Sequence, residues 1–551
     1  MSTLLLTAIA CLAPQAPATP AQAWTAREAE HLLNRAGFGA STAEVQRWVE
    51  AGQEALVEHL LASKGPELAW EYEARMPDFE SVRSMDQQQR VRVVQQVRQQ
   101  MSREAIDYVA EWLEGMVRGE DPLRDRMRLF WHGLFTSAQA TVKRGDYMIR
   151  QAELIDEHAL GNYGVLLRAM LEDPAMLVYL DNISNRRRKP NENLAREVME
   201  LFSLGEGNYS EDDVREAARA LTGYGVGRSA TPGGSFEFTR RNHDYGRKTI
   251  LGSSGRFDAD GLVRILLEQE ACAEWIAGRL LGWFEGSEPR ADRQAAYARL
   301  LRRSNYEVLP LLRALFMDPE FYADDCIGAR VLSPVDYMVG SARRLGIRPV
   351  GEFVGVSASV LGERIFDPPN VKGWEGGMAW MNTSTLMMRG NLTGVLLGLI
   401  DLGDIGSDDE VEAMMADEGM EPAMEMASME SEGRGKGRAR VAPDLVRAMR
   451  ALRSGLGGRR RFTPPATQLR RTLALRKPAN DEELVELALE ELLAIVPPVE
   501  TRAPLVAFLE AEREAEGLPE EAFLVRGGQR AEAVLRKLAH LILSLPEAQL
   551  G

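Results

Sequence analysis

The sequence predicts a mainly α fold: a multi-helical globular body with possible duplicated helical units, a small β-hairpin near 236–251 and one disordered insertion. Three observations carry this. Apolar residues recur at three- and four-residue spacing over most of the chain, strict alternation is confined to one short stretch, and 45% hydrophobic against 27% charged residues is the balance of a chain that buries a core.

Helical periodicity covers 26–34, 42–63, 85–119, 122–136, 145–159 and 161–172, then 192–204, 211–222, 258–284, 290–303, 307–317 and 333–345. Ser210 followed by Glu211, Asp212 and Asp213 is a helix start, with a capping hydroxyl and a carboxylate three residues on. Gly205 and Gly223 fall where helices should stop, since glycine accepts the left-handed conformation that closes a last turn. The exception is Phe236-Glu237-Phe238, which alternates and is answered by Lys248-Thr249-Ile250-Leu251 across a turn at 242–246. An internal echo also appears. Asn162-Tyr163-Gly164-Val165 leads into LLRAMLEDPAM, and Asn305-Tyr306-Glu307-Val308 leads into LLRALFMDPEF, each a helix ended by Asp-Pro; a weaker version ends at Leu545-Pro546-Glu547. Either a helical unit is duplicated, or Asp-Pro simply terminates helices well.

Residues 401–465 differ in kind. Acidic residues with Met414, Met415, Met420, Met424, Met426 and Met429 give way to GRGKGRAR, and blocks of like charge with few aromatics predict a disordered insertion, with one short helix at 442–453. Thioethers can bind Cu(I), but an inert flexible insertion explains the composition more simply. Helical patterns resume at 466–475, 480–495, 500–516 and 528–545. The expected organisation is therefore a main helical domain over 24–400, the insertion at 401–465, and 466–551 as the C-terminal part of the same domain.

Residues 4–13 (LLLTAIACLA) form an apolar run before a Pro/Ala stretch ending Ala21-Gln22-Ala23, so 1–23 is expected to be a signal peptide and the protein exported, either periplasmic, at the cell surface or secreted. Cys11 admits a lipoprotein anchor as a lesser alternative. No later segment has the ~20 uninterrupted apolar residues of a membrane span. The net charge of −16 disfavours a nucleic-acid partner, and 58 Arg against 8 Lys is a compositional bias that lowers the weight of any single Arg cluster. Cys11, Cys272 and Cys326 cannot form a disulfide framework; Cys272 and Cys326 either pair once or stay as free thiols.

The chain has no GxSxG, HExxH, GxxxxGK[ST] or strand-to-helix GxGxxG pattern, which removes the commonest hydrolase, kinase and dehydrogenase readings. The most unusual stretch begins Asn191-Glu192-Asn193 and runs through Arg196, Glu197 and Glu200. On a helix, Leu194, Val198 and Leu201 form an apolar stripe, and Asn193, Arg196, Glu197 and Glu200 share the opposite face. Carboxylates with an Arg and an Asn could hold a divalent metal or serve as an acid/base pair; the plain alternative is a salt-bridge ladder from Glu192 to Arg196 to Glu200. Asp181 could reach the start of this helix or merely form a turn. His132, in an aromatic helix, is either a ligand or a packed core residue. His243-Asp244 places a proton-transfer group beside a carboxylate, in a turn that needs no function. Asn370, Trp374 and Trp380, around a Pro-Pro bend, could line a sugar-binding cleft or pack beneath a loop.

The ordered runs HLLNRAGFG (31–39), RMRLFWHGLF (126–135), DPAMLVYLDN (173–182), PNENLAREVMELFSLGEGNYSEDDV (190–214), HDYGRKTILG (243–252), DPPNVKGW (367–374) and HLILSLPEAQL (540–550) resemble the bacterial domain of unknown function 1800 family (DUF1800), over about residues 26–550. The resemblance implies an exported, largely helical bacterial protein and, as partner, an exported protein of the domain of unknown function 1501 family. That family commonly has a second His after Phe-Trp-His, where this chain reads Gly133-Leu134-Phe135, so His132 would supply one metal ligand alone. The leading expectation is a cleft in which Glu197, Glu200, Arg196, His243 and Asp244 are catalytic, or in which Asp181, Glu197, Glu200 and His132 hold a divalent metal, with Asn191 and Asn193 beside them. The competing expectations are a non-enzymatic scaffold and, third, glycan binding through Trp374 and Trp380.

Overall fold

A computed structural model describes residues 24–63, 65, 70–77, 83–227, 232–400, 467–519 and 528–551. The signal-peptide, Cys11, methionine-cluster and 442–453 expectations lie outside the described residues. The described chain is mainly helical and divides into two compact units: one running to Val331 with Phe366–Glu375 and Gly551, the other comprising Leu332–Ile365 and Gly376–Leu550. Grouping by sequence places 24–400 in one body, whereas Leu332–Ile365 packs with the C-terminal helices.

The first unit begins with α1 (Ala26–Arg35), α2 (Thr42–Ala51), α3 (Gln53–Leu61), α4 (Gln87–Arg118) and α5 (Pro122–Leu134). The pattern read as one helix over 42–63 is two, because Gly52 takes φ +93° between them. In α4 only the second half is amphipathic: Met101, Ala105, Tyr108, Trp112 and Met116 are buried at helical spacing, and Gly119 ends it in the left-handed conformation. Next come α6 (Gln139–Val142), α7 (Gly145–His158), α8 (Tyr163–Met170), α9 (Pro174–Tyr179), α10 (Asn193–Glu197) and α11 (Glu211–Ala220). After the strands follow α12 (Ala259–Glu268), α13 (Glu270–Glu285), α14 (Ala291–Arg303) and α15 (Val308–Phe316). Trp131, Phe135, Tyr163, Phe202, Phe284 and Phe316 belong to one contiguous core, each such side chain contributing about 1.5–3 kcal/mol by leaving water.

The two echoed segments meet. Tyr163 N–H donates to the Tyr306 carbonyl at 3.0 Å and Val308 N–H to that of Gly161 at 3.1 Å, an antiparallel bridge that launches α8 and α15. The Asp-Pro ends also match. Asp173 accepts from Met176 N–H at 2.8 Å, and Asp318 accepts from Glu320 N–H at 3.0 Å, each capping the helical turn that follows. Asp173 is buried, with Gln151 Nε2 at 2.8 Å as its other partner, and burial pushes its carboxyl up to about 7.

The hairpin expected between Phe236–Phe238 and Lys248–Ile250 does not form. Strand β1 (Tyr224–Val226) pairs antiparallel with β2 (Phe236–Phe238), placing Tyr224 against both phenylalanine rings. Strand β3 (Lys248–Ile250) pairs with β4 (Ser253–Gly255) through Leu251 and Gly252, both at positive φ. Positive φ at both central residues fits the tight turn that right-twisted strands require.

A charged cluster is buried along α5. Arg128 lies 3.1 Å from Asp125 and 3.6 Å from Asp156, Arg124 reaches Asp156 at 3.3 Å and Asp121 at 3.4 Å, and Trp112 Nε1 donates to Asp125 at 3.1 Å. Burial raises the Asp125 carboxyl pKa, with Arg128 opposing.

The second unit comprises α16 (Pro334–Leu345), α17 (Gly351–Val360), α18 (Thr383–Leu396), α19 (Gln468–Arg476), α20 (Asp481–Leu492), α21 (Arg502–Ala515) and α22 (Gln529–Leu543). Helices α17 and α18 have no apolar stripe in sequence: Gly, Val, Ser and Ala fill α17 on all sides, as suits a helix packed on several faces. Arg389 is fully buried, donating to Gln549 at 3.0 Å and to the Leu332 carbonyl at 2.8 Å beneath the Tyr337 ring.

Candidate functional site

The polar helix is only half α-helical. After α10 the chain winds as a π-helix over Val198–Ser203, with Leu204 N–H reaching back five residues to the Met199 carbonyl at 2.8 Å. Such wide turns occur mostly as single turns, frequently at functional sites. Side chains hold its carbonyls: Ser203 Oγ donates to Val198, the Tyr163 hydroxyl to Phe202, and Trp275 Nε1 to Leu201 at 2.9 Å. Leu194, Val198, Met199 and Phe202 face the core, whereas Leu201, the third member of the stripe expected from sequence, is only partly buried and lines a pocket, because the π turn shifts the register after Val198.

The polar residues divide among separate tasks. Arg196 donates to Glu211 at 2.7 and 2.8 Å and lies 3.3 Å from Glu192; these bonds hold its pKa well above the usual arginine value. The guanidinium thus links α10 to the start of α11. Asp181, at φ +52°, accepts from Asn191 Nδ2 and Ser184 Oγ, both at 2.9 Å, and Asn191 Oδ1 accepts from Asn193 N–H at 3.1 Å. This is turn chemistry. Asn193 itself is exposed.

His132 is buried, and its Nε2 accepts the Phe366 N–H at 3.3 Å. Burial first, then Arg128, pushes its pKa down to about 4, so it is neutral at physiological pH. Its neighbours are the rings of Trp112, Phe366 and Trp374. Among the described residues no three His, Cys, Asp or Glu side chains converge as a metal-holding group. The ligand set Asp181, His132, Glu197 and Glu200 is therefore not assembled, because Asp181 and His132 are engaged locally.

His243 and Asp244 also point to different partners. His243 Nδ1 lies 2.8 Å from the Thr222 carbonyl, whereas Asp244 takes Arg219 Nε and Gly246 N–H, each at 2.8 Å. Burial lowers the imidazole pKa, and the bond from Arg219 lowers that of Asp244. They are no proton relay with each other. Asn370 Oδ1 accepts from Lys372 N–H at 2.8 Å, shaping the bend that presents Lys372. Trp374 is half-buried beside His132, and Trp380 is buried in the second unit over Gly362, so neither ring lies open as a sugar platform. Cys272 and Cys326 are free thiols.

Glu197 and Glu200 remain. Glu200 lines a pocket of about 250 Å³ in the first unit, with Leu134, Leu201, Glu206, Trp275, Arg279 and Lys372. Its carboxylate is held by Lys372 Nζ at 3.7 Å and the Tyr209 hydroxyl at 3.1 Å, and Tyr209 is in turn pushed up to about 12, by burial first and then by Glu200. Glu197, half-buried one turn earlier, has its pKa raised by burial and then by the Glu200 charge, against the pull of Lys372 and Arg196. Trp275 is fixed in the wall: its Nε1 bond is made, and Gly205, at φ +78°, packs so closely that a Cβ there would come within 2.7 Å of the indole. Sequence reasoning missed Tyr209, Glu206, Trp275, Arg279 and Lys372. Tyr209 and Lys372 lie inside runs singled out above, but α13 carries Trp275 and Arg279 on an ordinary amphipathic pattern.

Neither the curated proteins nor the solved structures compared with the chain include a match. A family model does match, spanning residues 31–550, and the chain belongs to that family, described as Protein of unknown function (DUF1800).

Proposed function

We propose that the first unit is a small-molecule hydrolase whose acid/base pair is Glu197 and Glu200. The observation that supports this best is the Glu200 carboxylate, held by Lys372 and Tyr209 in the wall of a pocket, next to a half-buried carboxyl that keeps its proton to higher pH. A carboxyl held protonated by its surroundings is suited to work as a general acid. Glu200 takes a proton from water as the oxygen attacks, and Glu197 gives its proton to the leaving group as the bond breaks. Lys372 and Tyr209 hold Glu200 in place. The apolar run at 4–13 supports export, and an exported protein of the domain of unknown function 1501 family is the partner to test by co-expression and co-elution.

The scaffold reading has its own support in the internal partners of Arg196, Asp181 and Asn191. Glu197→Gln separates the two. It removes a half-buried charge whose ionised form its surroundings disfavour, so in a hydrolase it leaves the melting temperature unchanged or raised while abolishing turnover of a small ester or amide panel. In a scaffold it lowers melting temperature and changes no ligand response. Wild-type silence across the panel, together with a destabilised Glu197→Gln, would sink the hydrolytic reading.

A further inference from the structure

The lining of the pocket contains two charges that no other described residue neutralises. Arg279, on α13, has no carboxylate partner among the described residues; its contact is the Trp275 ring, 5.8 Å from the guanidinium carbon. Glu206, an exposed residue of the same lining, likewise has no cationic partner among them. The other two charges, Glu200 and Lys372, answer each other at 3.7 Å. The lining is thus neutral in sum while offering one cation and one anion unpaired among the described residues. In the same lining Trp275, Leu134 and Leu201 supply an apolar surface whose indole is held by its Nε1 bond.

A guanidinium prefers a planar carboxylate, which it can grip through two parallel N–H bonds, and a free carboxylate prefers an ammonium. A dianion such as a phosphate would meet Glu206 as well as Arg279, and a neutral sugar would leave both charges unanswered. The volume of about 250 Å³ lies just under the ~300–1,000 Å³ of sites for drug-sized ligands. From these observations, and resting on the reading of the pocket above, we infer that it takes a small zwitterion, a free dipeptide with an apolar side chain. Its carboxylate lies on Arg279, its ammonium on Glu206 and its side chain against Trp275. The peptide bond then lies between the two charged ends, in the pocket whose lining includes Glu200.

The test uses the full chain and isothermal titration with alanyl-leucine, its N-acetyl form and its C-terminal amide. The free dipeptide should saturate the protein, and each capped form should bind at least about tenfold more weakly, about 1.4 kcal/mol for each lost charge contact. Arg279→Gln should weaken the free dipeptide at least about tenfold and leave the amide unchanged; Glu206→Gln should do the same for the N-acetyl form. Neither side chain has an ion-pair partner to lose among the described residues, so both variants should melt with wild type, which checks that they fold. The inference is overturned if the capped forms bind like the free dipeptide, if Arg279→Gln leaves the preference intact, or if none of the three binds. Saturable binding of the dipeptide without release of alanine and leucine would sink the hydrolytic reading and support this one. Hydrolysis of uncharged amides without preference for the zwitterion would do the reverse.

Discussion

Replacing Asp173 with asparagine should remove a pH dependence built into the first unit. Asp173 caps α9 through Met176 N–H and takes a bond from Gln151, but its Oδ1 is buried with no hydrogen-bond partner among the described residues, and burial pushes the carboxyl up to about 7 from an ordinary 3.8. The folded protein therefore binds a proton that the unfolded chain has released. Stability contributed by the protonated form is complete below the unfolded value and is lost as pH rises through the folded one. The interval of about three pH units, at about 1.4 kcal/mol per unit, makes the total loss roughly 4 kcal/mol, of which about 3 kcal/mol falls between about pH 5 and about pH 8. Asparagine keeps the cap, since its oxygen serves Met176 as well, and it cannot ionise. Urea unfolding of wild type and Asp173→Asn at several pH values isolates this one group, because all other titrations cancel in the difference. The variant should gain on wild type as pH rises, by about 3 kcal/mol over that window, or on the order of 5 °C in melting temperature. A difference between the two proteins that stays constant with pH, or that favours wild type more at high pH, would refute the reasoning.

Tyr163→Phe should cost about 1–3 kcal/mol in urea unfolding, because it leaves the buried Phe202 carbonyl of the π-helix without its hydroxyl donor. Arg128→Met should cost about 3–5 kcal/mol by stranding Asp125 and Asp156 in the interior, with a larger loss at alkaline than at acid pH as measured by thermal melts. Lys372→Met should barely change stability, since the side chain is exposed, but should raise the Glu197 pKa further by removing a charge that lowers it; carbon-13 NMR titration of the glutamate carboxyls reads the shift.

The helical body was legible because amphipathic stripes and caps are local. Ser210 and Asp213 close the expected capping box, and Gly205 and Gly223 take the expected left-handed conformation. Features that depend on distant partners were not. Tyr224-Gly225-Val226 shows no strand signal until Phe236–Phe238 lies beside it, and leucine at 251 conceals a tight turn that asparagine would have announced. α17 escaped notice because a helix covered on most sides leaves no stripe in sequence. At the site, Glu197 and Glu200 were legible as one helix face, but periodicity could not show that Arg196 turns away to Glu211 or that Asp181 closes its own turn. Nor could it show which walls would face Glu200, since Trp275, Arg279 and Lys372 come from remote segments.

The wide turn at Val198–Ser203 makes the candidate site depend on chain length as well as on side-chain identity. A helix carrying one surplus residue accommodates it as a π turn. Deleting one residue there would let the backbone relax into an ordinary α-helix, but everything beyond the deletion would rotate by about 100°. Gly205 would leave the face of Trp275, and the Phe202 carbonyl would leave Tyr163. An alanine scan of this segment keeps the surplus residue and so keeps the site's geometry. A single-residue deletion beside an equally short insertion elsewhere in the same helix would change register alone, with every functional side chain still present.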